Sequence, residues 1–515
     1  MASIGGSVLD TLTSGMYKNP LDTIREYIQN ASDSILMAER KGVIRHHEGC
    51  ATVQLLKGTQ TVIISDNGLG ISSDKAKDLL TNIGFSEKDL IKDAGFRGIG
   101  RLAGIGYCSK LIFRTSMRDE PKRSVVEIDC VGVKTDIKPG CKYKVEEVIA
   151  RNFSHSIEDE KVEDHYFEVV MEGIQKDAGK EYFLDYKRME AYLKQVAPVE
   201  FDAQLFRNAP LLSQWVIDQK ITLPIIQLFI DAEGRRWQIF KAYKNNYETK
   251  KAKGGNYPIS IRGLKFFPDT LTSDSKYWIW YADTPLLGSI DDDNVRGFRL
   301  RHKNILIGDE NQASTLFQKD DDKRFNGWYL GEIHILDTRV IPNARRDWFE
   351  ETSDWQEIKK ELSLFLSKRV EEVRNASVKR NEPVQKVKRR VENTIRELDD
   401  LTITGAETRE KRDDVLREAH ELKAELIDIK EKRQGKPDEI VLEQQIEKLD
   451  NKILEISTNP QTLTGDYLKS DLNKRERKII QDILKILEKI LEPGVYKDVK
   501  TAIFKEYGQA TRRKN

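Results

Sequence analysis

Glu26, Asn30 and Asp33 stand four and three residues apart in the stretch DTIREYIQNASDS, residues 22–34. At about 100° per residue they share one stripe of a helix. A carboxylate can polarise water, and an Asn one turn further on can hold a hard cation through its carbonyl oxygen. Together these are the means of metal-assisted phosphate hydrolysis. Leu21, Ile24, Ile28, Ala31 and Ile35 fall on the opposite stripe, which is the one for packing. Taken alone, the same pattern also describes an amphipathic surface helix with a wet side.

A second group is Asp66-Asn67-Gly68-Leu69-Gly70. The β-rich runs 51–56 and 61–65 are separated by Lys57-Gly58-Thr59, the pattern of a hairpin, and the second run ends in this carboxylate. The glycines let backbone approach a flat ligand, and a buried carboxylate there can accept a hydrogen bond from an exocyclic amine such as that of adenine. D-N-G is also an ordinary turn. A short amphipathic helix is expected over 75–83, then a polar stretch. A third group follows, Gly95-Phe96-Arg97-Gly98-Ile99-Gly100, ahead of RLAGIGYCSKLIFRTS. Its open N–H groups can meet phosphate oxygens. It is neither the G-x-G-x-x-G dinucleotide fingerprint nor a Walker A loop.

In this order the three groups resemble the nucleotide-binding boxes of the GHKL superfamily: gyrase-type topoisomerases, heat-shock protein 90 chaperones, histidine kinases, MutL and MORC proteins. The resemblance implies an α/β fold, a two-layer α/β sandwich with a mixed sheet, that binds ATP with Mg²⁺. It makes Glu26 the general base, Asn30 the Mg²⁺ ligand and Asp66 the adenine reader, with Asp33 and Gly68 in the same boxes. Gly70 would shape the base pocket, and Gly98 and Gly100, in the box opened by Gly95, would cradle the phosphates. Residues 83–94 would form a lid, where Ser86 and Lys88 match a Ser-x-Lys pattern of some GHKL lids. The family's adenine-site Thr, on a later strand, corresponds to Thr115, Ser116 or Thr135, and the sequence leaves that choice open. A hydrolytic glutamate argues against a histidine kinase, as does the lack of a phospho-acceptor helix ahead of the domain.

Residues 1–150 are thus expected to form the GHKL ATPase domain. Residues 151–220 are highly charged, helical around 187–195, and read as an insertion or connector. From 221 to 365, β-type runs at 222–230, 236–243, 257–267 and 277–282 indicate an α/β middle domain. Arg296, Arg299, Arg301 and His302 flank the run 304–307, as a solvated strand edge or as an anion site. Asn343-Ala344-Arg345-Arg346-Asp347, after a strand beginning Gly331-Glu332-Ile333, resembles the catalytic loop of the heat-shock protein 90 middle domain. By that likeness Arg346, with Arg345 as alternate, reaches the γ-phosphate when the domains close. An arginine delivered in cis neutralises charge developing on the transferred phosphoryl group. The competing reading is a surface pair of Arg346 with Asp347 or Glu350.

Beyond 366 the apolar residues fall into heptad-like steps amid Glu, Lys, Arg and Asp. A coiled coil or helical hairpin is expected over 366–459, broken near 402–406 and 435–437, and a C-terminal helical segment over 460–515. The basic stretches at 379–380 and 386–390 are either solvated faces or nucleic-acid contacts. The chain has 515 residues, 33% of them charged, and a formal net charge of +1, so any basic footprint is local. Cys50, Cys108, Cys130 and Cys141 form no C-x-x-C pair and read as reduced thiols of a cytoplasmic protein. No export signal or membrane span is indicated. The implied function is a Mg²⁺-dependent ATPase of heat-shock protein 90-like type that hydrolyses ATP to ADP and phosphate and couples N-terminal and middle-domain closure to a protein client or operon partner, with a homodimer expected. The alternatives are a MORC- or MutL-like DNA clamp, for which nucleic acid would be a partner, and an ATP-sensing scaffold in a bacterial defence system.

Overall fold

Burial with a period of two sets the first sheet. In β1 (Cys50–Leu56) the inward row is Ala51, Val53 and Leu55; in β2 (Thr61–Asp66) it is Val62, Ile64 and Asp66. Asp66 therefore faces inward because it continues the apolar row by one step. The two strands pair antiparallel, Ala51 opposite Asp66, as the expected hairpin. The computed structural model describes residues 5–6, 9, 19–82, 100–138, 140–175, 180–250, 256–380, 384–404, 409–432, 438–458, 472 and 474–507.

Strands β3 (Lys110–Ser116), β4 (Lys122–Asp129), β5 (Phe153–Asp159), β6 (Tyr166–Glu172), β7 (Gln227–Ala232) and β8 (Arg235–Ile239) complete an eight-stranded mixed sheet, ordered β5-β4-β3-β6-β2-β1-β7-β8. Only β1 and β7 run parallel among these neighbours. The sheet thus crosses the boundaries expected at 150 and 220. Two strands come from the segment read as a connector, and an edge pair comes from the start of the segment read as the middle domain. The physical reason is non-local: β7 finds its partner in β1, about 175 residues upstream, through backbone hydrogen bonds that local periodicity does not register.

One helical layer covers the sheet. Helix α1 (Asp22–Arg40) buries Leu21, Ile24, Ile28, Ala31 and Ile35 into the core, as its spacing predicts. Each of the leucine and isoleucine side chains contributes roughly 1.5–3 kcal/mol of burial. Helices α2 (Ser73–Thr81), α3 (Cys130–Asp136), α4 (Val145–Asn152) and α5 (Tyr186–Val196) add Ala76, Leu80, Val133, Val148, Met189 and Leu193 to the same core. The glycine-rich segment enters as a 3-10 helix, Gly100–Gly106, rather than as a regular α-helix.

After α6 (Ala209–Asp218) come β9 (Asn246–Lys250), β10 (Asn256–Ser260), β11 (Gly263–Phe267), β12 (Tyr277–Asp283), β13 (Ser289–Ile290), β14 (Gly297–His302), β15 (Ile305–Leu306) and β16 (Leu330–Ile335). They form a three-stranded sheet, β10-β9-β13, and a five-stranded one, β11-β12-β16-β14-β15. The central strands are buried on both faces. Trp278 and Trp280 pack against α6, and helix α7 (Ser353–Arg380) lays Phe365 against Tyr281 and Phe298. Leu306 of β15 belongs to the core of the first sheet, and residues Met1–Val370 make one compact unit.

A buried ionic network joins the parts of this unit. Glu332 on β16 accepts from Lys241 Nζ at 2.9 and 3.0 Å, Arg301 Nε at 2.6 Å and Trp280 Nε1 at 3.3 Å, and its carboxylate lies 3.0 Å from His334 Nε2. Arg301 also donates to the carbonyl of Gln195 at the end of α5, and Asn304 to that of Pro224. Arg299, Arg301 and His302 are all buried. They are therefore neither a solvated strand edge nor an anion site; for Arg301 the reason is the Glu332 counter-charge on the neighbouring strand. Arg296 stays half-buried and pairs with Asp293.

This network has a pH signature. Burial holds the His302 ring down to about 3, helped by Lys303 and Arg346, and the His334 ring down to about 4 against the pull of Glu332. In the unfolded chain both titrate near 6.5. Between those values the unfolded state binds more protons, so stability rises with pH from about 4 to 6.5 and is lost on acidification. Glu332 acts in the same direction: burial alone would raise its pKa, but Arg301 and Lys241 hold it well below the usual range. The melting temperature is expected to fall steadily from pH 6.5 to 4, and a flat profile would show that these rings are open to water.

The second unit is Glu371–Asn515. Helices α8 (Val384–Thr404), α9 (Arg409–Lys432) and α10 (Asp438–Thr458) pack Val387, Val391, Leu398, Leu422, Leu426, Leu442, Leu449 and Ile453 into one core. Lys430 pairs with Glu443 and Lys423 with Asp450, so seven residues back in α9 is seven forward in α10, an antiparallel register. The heptad faces at 384–458 are thus answered within the chain as a three-helix bundle. Helices α11 (Lys474–Ile490) and α12 (Pro493–Tyr507) follow. Among the described residues no helix is long and apolar enough to cross a membrane.

Candidate active site

The stripe of α1 opposite its packing face lines a cleft of about 520 Å³, a volume within the range of roughly 300–1,000 Å³ usual for cofactor sites. Glu26, Asn30, Asp33, Asp66, Gly70, Gly100 and Arg346 all line it. One end is apolar, with Ile64, Leu69, Leu80, Phe113, Phe167 and Val169; the other gathers Glu26, Asn30, Arg101 and Arg346. A flat apolar base and a charged tail would each find a matching environment. Lys88, Gly95 and Gly98, with Ser86 and the expected lid, lie outside the described residues.

At the apolar end the turn after β2 is held from several sides. Gly68 N–H donates to Asp66 Oδ1 at 2.9 Å, and Leu69 N–H to Ser34 Oγ at 3.0 Å. Gly70 sits at φ +71°, where a Cβ would lie 1.8 Å from the carbonyl oxygen of Ser116, so no other residue fits. His165 Nδ1 lies 2.7 Å from the Gly68 carbonyl, while its Nε2 faces Arg118 Nη2 at 2.9 Å. Since a guanidinium only donates, Nε2 accepts and the proton sits on Nδ1. Of the three adenine-site candidates, Thr115 is buried, donating to the Tyr166 carbonyl and accepting from Ile71 N–H; Ser116 is buried as well; Thr135 lies on α3 and bonds back to Val131. None of them lines the cleft.

At the charged end Glu26 is 7% exposed, and its Oε1 lies 3.0 Å from Arg346 Nε. This is a close ion pair without the alignment of a hydrogen bond. Gly100 approaches from the other side, where a Cβ would come within 2.4 Å of Glu26 Oε2. Tyr27 locks this segment to α1, donating to the Arg101 carbonyl at 3.1 Å and accepting from Gly104 N–H at 2.9 Å. Arg101 is pushed down to about 10 by burial and stays charged at neutral pH.

Arg346 is delivered by a tight tip. Pro342 bridges Phe349, Asn343 N–H bonds to the Trp348 carbonyl at 2.9 Å, and Arg346 N–H to the Asn343 carbonyl at 3.1 Å. Arg346 itself sits at φ +56°, a left-handed conformation costing about 1–2 kcal/mol in a residue with a Cβ. Gly308 N–H holds its carbonyl at 2.8 Å, and Arg25 Nη2 donates to the Arg345 carbonyl at 2.9 Å, fixing the tip onto α1. The surface pair with Asp347 or Glu350 is not what forms: Arg346 is 6% exposed and turned to Glu26, Asn343 takes the Asp347 carboxylate, and Arg345 points outward.

Several lining residues carry no site role in the sequence analysis, among them Ser34, Met37, Lys41, Lys75 and Arg101. Two of them had a readable signal. Met37 and Lys41 continue the stripe 26-30-33 by steps of four, because α1 runs on to Arg40.

The fold and this cleft are consistent with a domain of the GHKL type, and residues 21–157 match the family described as "Histidine kinase-, DNA gyrase B-, and HSP90-like ATPase". The likeness runs toward the heat-shock protein 90 branch. "Chaperone protein HtpG" of Acinetobacter baylyi (strain ATCC 33305 / BD413 / ADP1) is 32% identical over 130 residues, 23% of this chain. The match covers 20% of that relative's own length.

Proposed function

We propose that this chain binds ATP with Mg²⁺ in the cleft and hydrolyses it to ADP and phosphate. The observation that supports this most is the meeting of Glu26, from the first sheet's covering helix, with Arg346, from a loop that follows β16 of the five-stranded sheet. A base and a fork-shaped cation at one end of a base-sized cleft are the parts that phosphoryl transfer to water requires.

In this reading Glu26 accepts a proton from water as the water oxygen bonds to the γ-phosphorus and the bond to the bridging oxygen breaks, the electrons leaving with ADP. Arg346 first has to exchange partners. The triphosphate offers it oxygens that compete with Glu26, and its move to them both frees the carboxylate and neutralises the phosphoryl group. The fit of Mg²⁺ rests on the donor set: among the described residues no group of three or more acidic, His or Cys side chains forms a metal cage. Asn30 offers one hard oxygen on the cleft wall. Mg²⁺ is suited to such a site, since it keeps waters and takes phosphate oxygens for the rest. When bound, it would screen charge on the phosphates. By analogy with the relative named a chaperone, the release of Arg346 from Glu26 would couple turnover to a protein partner.

Purified full-length chain is expected to release phosphate from ATP in a Mg²⁺-dependent manner, with release stopped by chelation. ATP that binds without any phosphate release would leave an ATP-sensing scaffold as the function. Asp66→Asn puts an amide donor opposite the adenine amine while keeping an oxygen for Gly68 N–H. ATP affinity is expected to fall by about ten- to a hundredfold, the worth of a hydrogen bond to a charged group. Unchanged affinity by calorimetry would remove Asp66 as the adenine reader.

A further inference from the structure

Helix α11 is apolar on two faces, and only one is covered. Leu484 is buried and Ile480, Leu487 and Leu491 are half-buried, a row with steps of four, three and four that accompanies packing against α8. The second row is Ile479, Ile483, Ile486 and Ile490, also at steps of four, three and four. These four are 51%, 45%, 56% and 72% exposed. Isolated exposed apolar side chains are ordinary, but a continuous isoleucine row at heptad spacing is a helix-pairing seam.

The charges beside the seam select its occupant. With Ile479 and Ile486 at d and Ile483 and Ile490 at a, the g positions are Arg475, Asp482 and Lys489, and the e positions are Ile480, Leu487 and Gly494. In a parallel pair g meets the next e of the partner helix, so Asp482 would face Leu487 and Lys489 would face Gly494, and neither charge would be answered. In an antiparallel pair g meets g. With Ile483 opposite Ile486 and Ile479 opposite Ile490, Asp482 of each copy lies beside Lys489 of the other, and the two-fold axis makes the pair twice. Asp482 and Lys489 are exposed, and neither has an ion-pair partner among the described residues. The seam is therefore complementary to itself in apolar steps and in charge, and only in one direction.

We propose that α11 is a self-docking surface, on which two copies of this chain pair antiparallel through Ile479, Ile483, Ile486 and Ile490 with reciprocal Asp482–Lys489 ion pairs. The pairing is independent of whether ATP is hydrolysed, so its test reads mass rather than turnover.

Full-length protein in sedimentation equilibrium is expected to show a reversible monomer–dimer equilibrium. Asp482→Lys or Lys489→Asp alone turns two attractions into two repulsions and should weaken the dimer about tenfold. The double variant D482K/K489D restores both pairs and should recover wild-type affinity, an outcome that mere loss of structure cannot give. Ile486→Glu should abolish the dimer with helix content unchanged by circular dichroism. A wild type that stays monomeric, a dimer indifferent to Ile486→Glu, or a double variant weaker than either single one would overturn the proposal. So would monomeric protein that floats with anionic vesicles, which would assign the isoleucine row to a lipid surface.

Discussion

Glu26→Ala is expected to cut phosphate release by about 10²–10⁴-fold while ATP still binds, because the proposed function makes the carboxylate a base and not a wall of the base pocket. The side chain lies at the charged end of the cleft, with Arg346 Nε at 3.0 Å and Gly100 close on its other side. Removing it also takes from the buried Arg346, which is 6% exposed, the carboxylate 3.0 Å from its Nε, and breaking a buried pair from one side is destabilising. Glu26→Gln is therefore the companion variant, since it keeps shape and oxygen but cannot take the proton. Both variants should bind ATP by calorimetry and both should fail to turn it over. Normal turnover in Glu26→Gln would place the base elsewhere.

Arg346→Ala is expected to lower turnover by on the order of 10³-fold, with a much smaller loss of ATP affinity. In the proposed reaction this residue has two roles: paired with Glu26, as the structure has it, it would occupy the base, and turned to the phosphates it would stabilise their charge. Loss of the first alone would speed the reaction and loss of the second would slow it, so the sign of the change decides which dominates. Arg346→Lys keeps the charge without the planar fork and should recover only part of the rate. An unaltered rate in Arg346→Ala would dismiss the residue from the chemistry. Arg345→Ala is the control, since that side chain points outward and only its carbonyl is used, by Arg25.

How much of this was readable beforehand depended on the reach of each interaction. The stripe of α1 and the inward turn of Asp66 follow from periods of 3.6 and 2, which a sequence displays without its surroundings. The helix breaks expected at 402–406 and 435–437 lie, apart from 402–404, outside the described residues. Arg299, Arg301 and His302 were misread because what buries them is distant: Glu332 lies 31 residues beyond Arg301, on the adjacent strand. The same holds for β7 and β8, read as part of a later domain because their pairing with β1 is non-local. For the heptads of α8 to α10 the spacing announced a partner without naming it, and the partner is within the chain.

The parallel pairing of β1 with β7 bears on how this protein can be cut. A fragment that stops at residue 220 would keep every side chain of the three nucleotide boxes, yet β1 would lose the neighbour that satisfies its outer row of amides and carbonyls. An open edge of that kind recruits strands from other molecules. The first sheet is thus finished by residues that follow the three boxes, and fragments meant to isolate it will stay dispersed only if they run past Ile239.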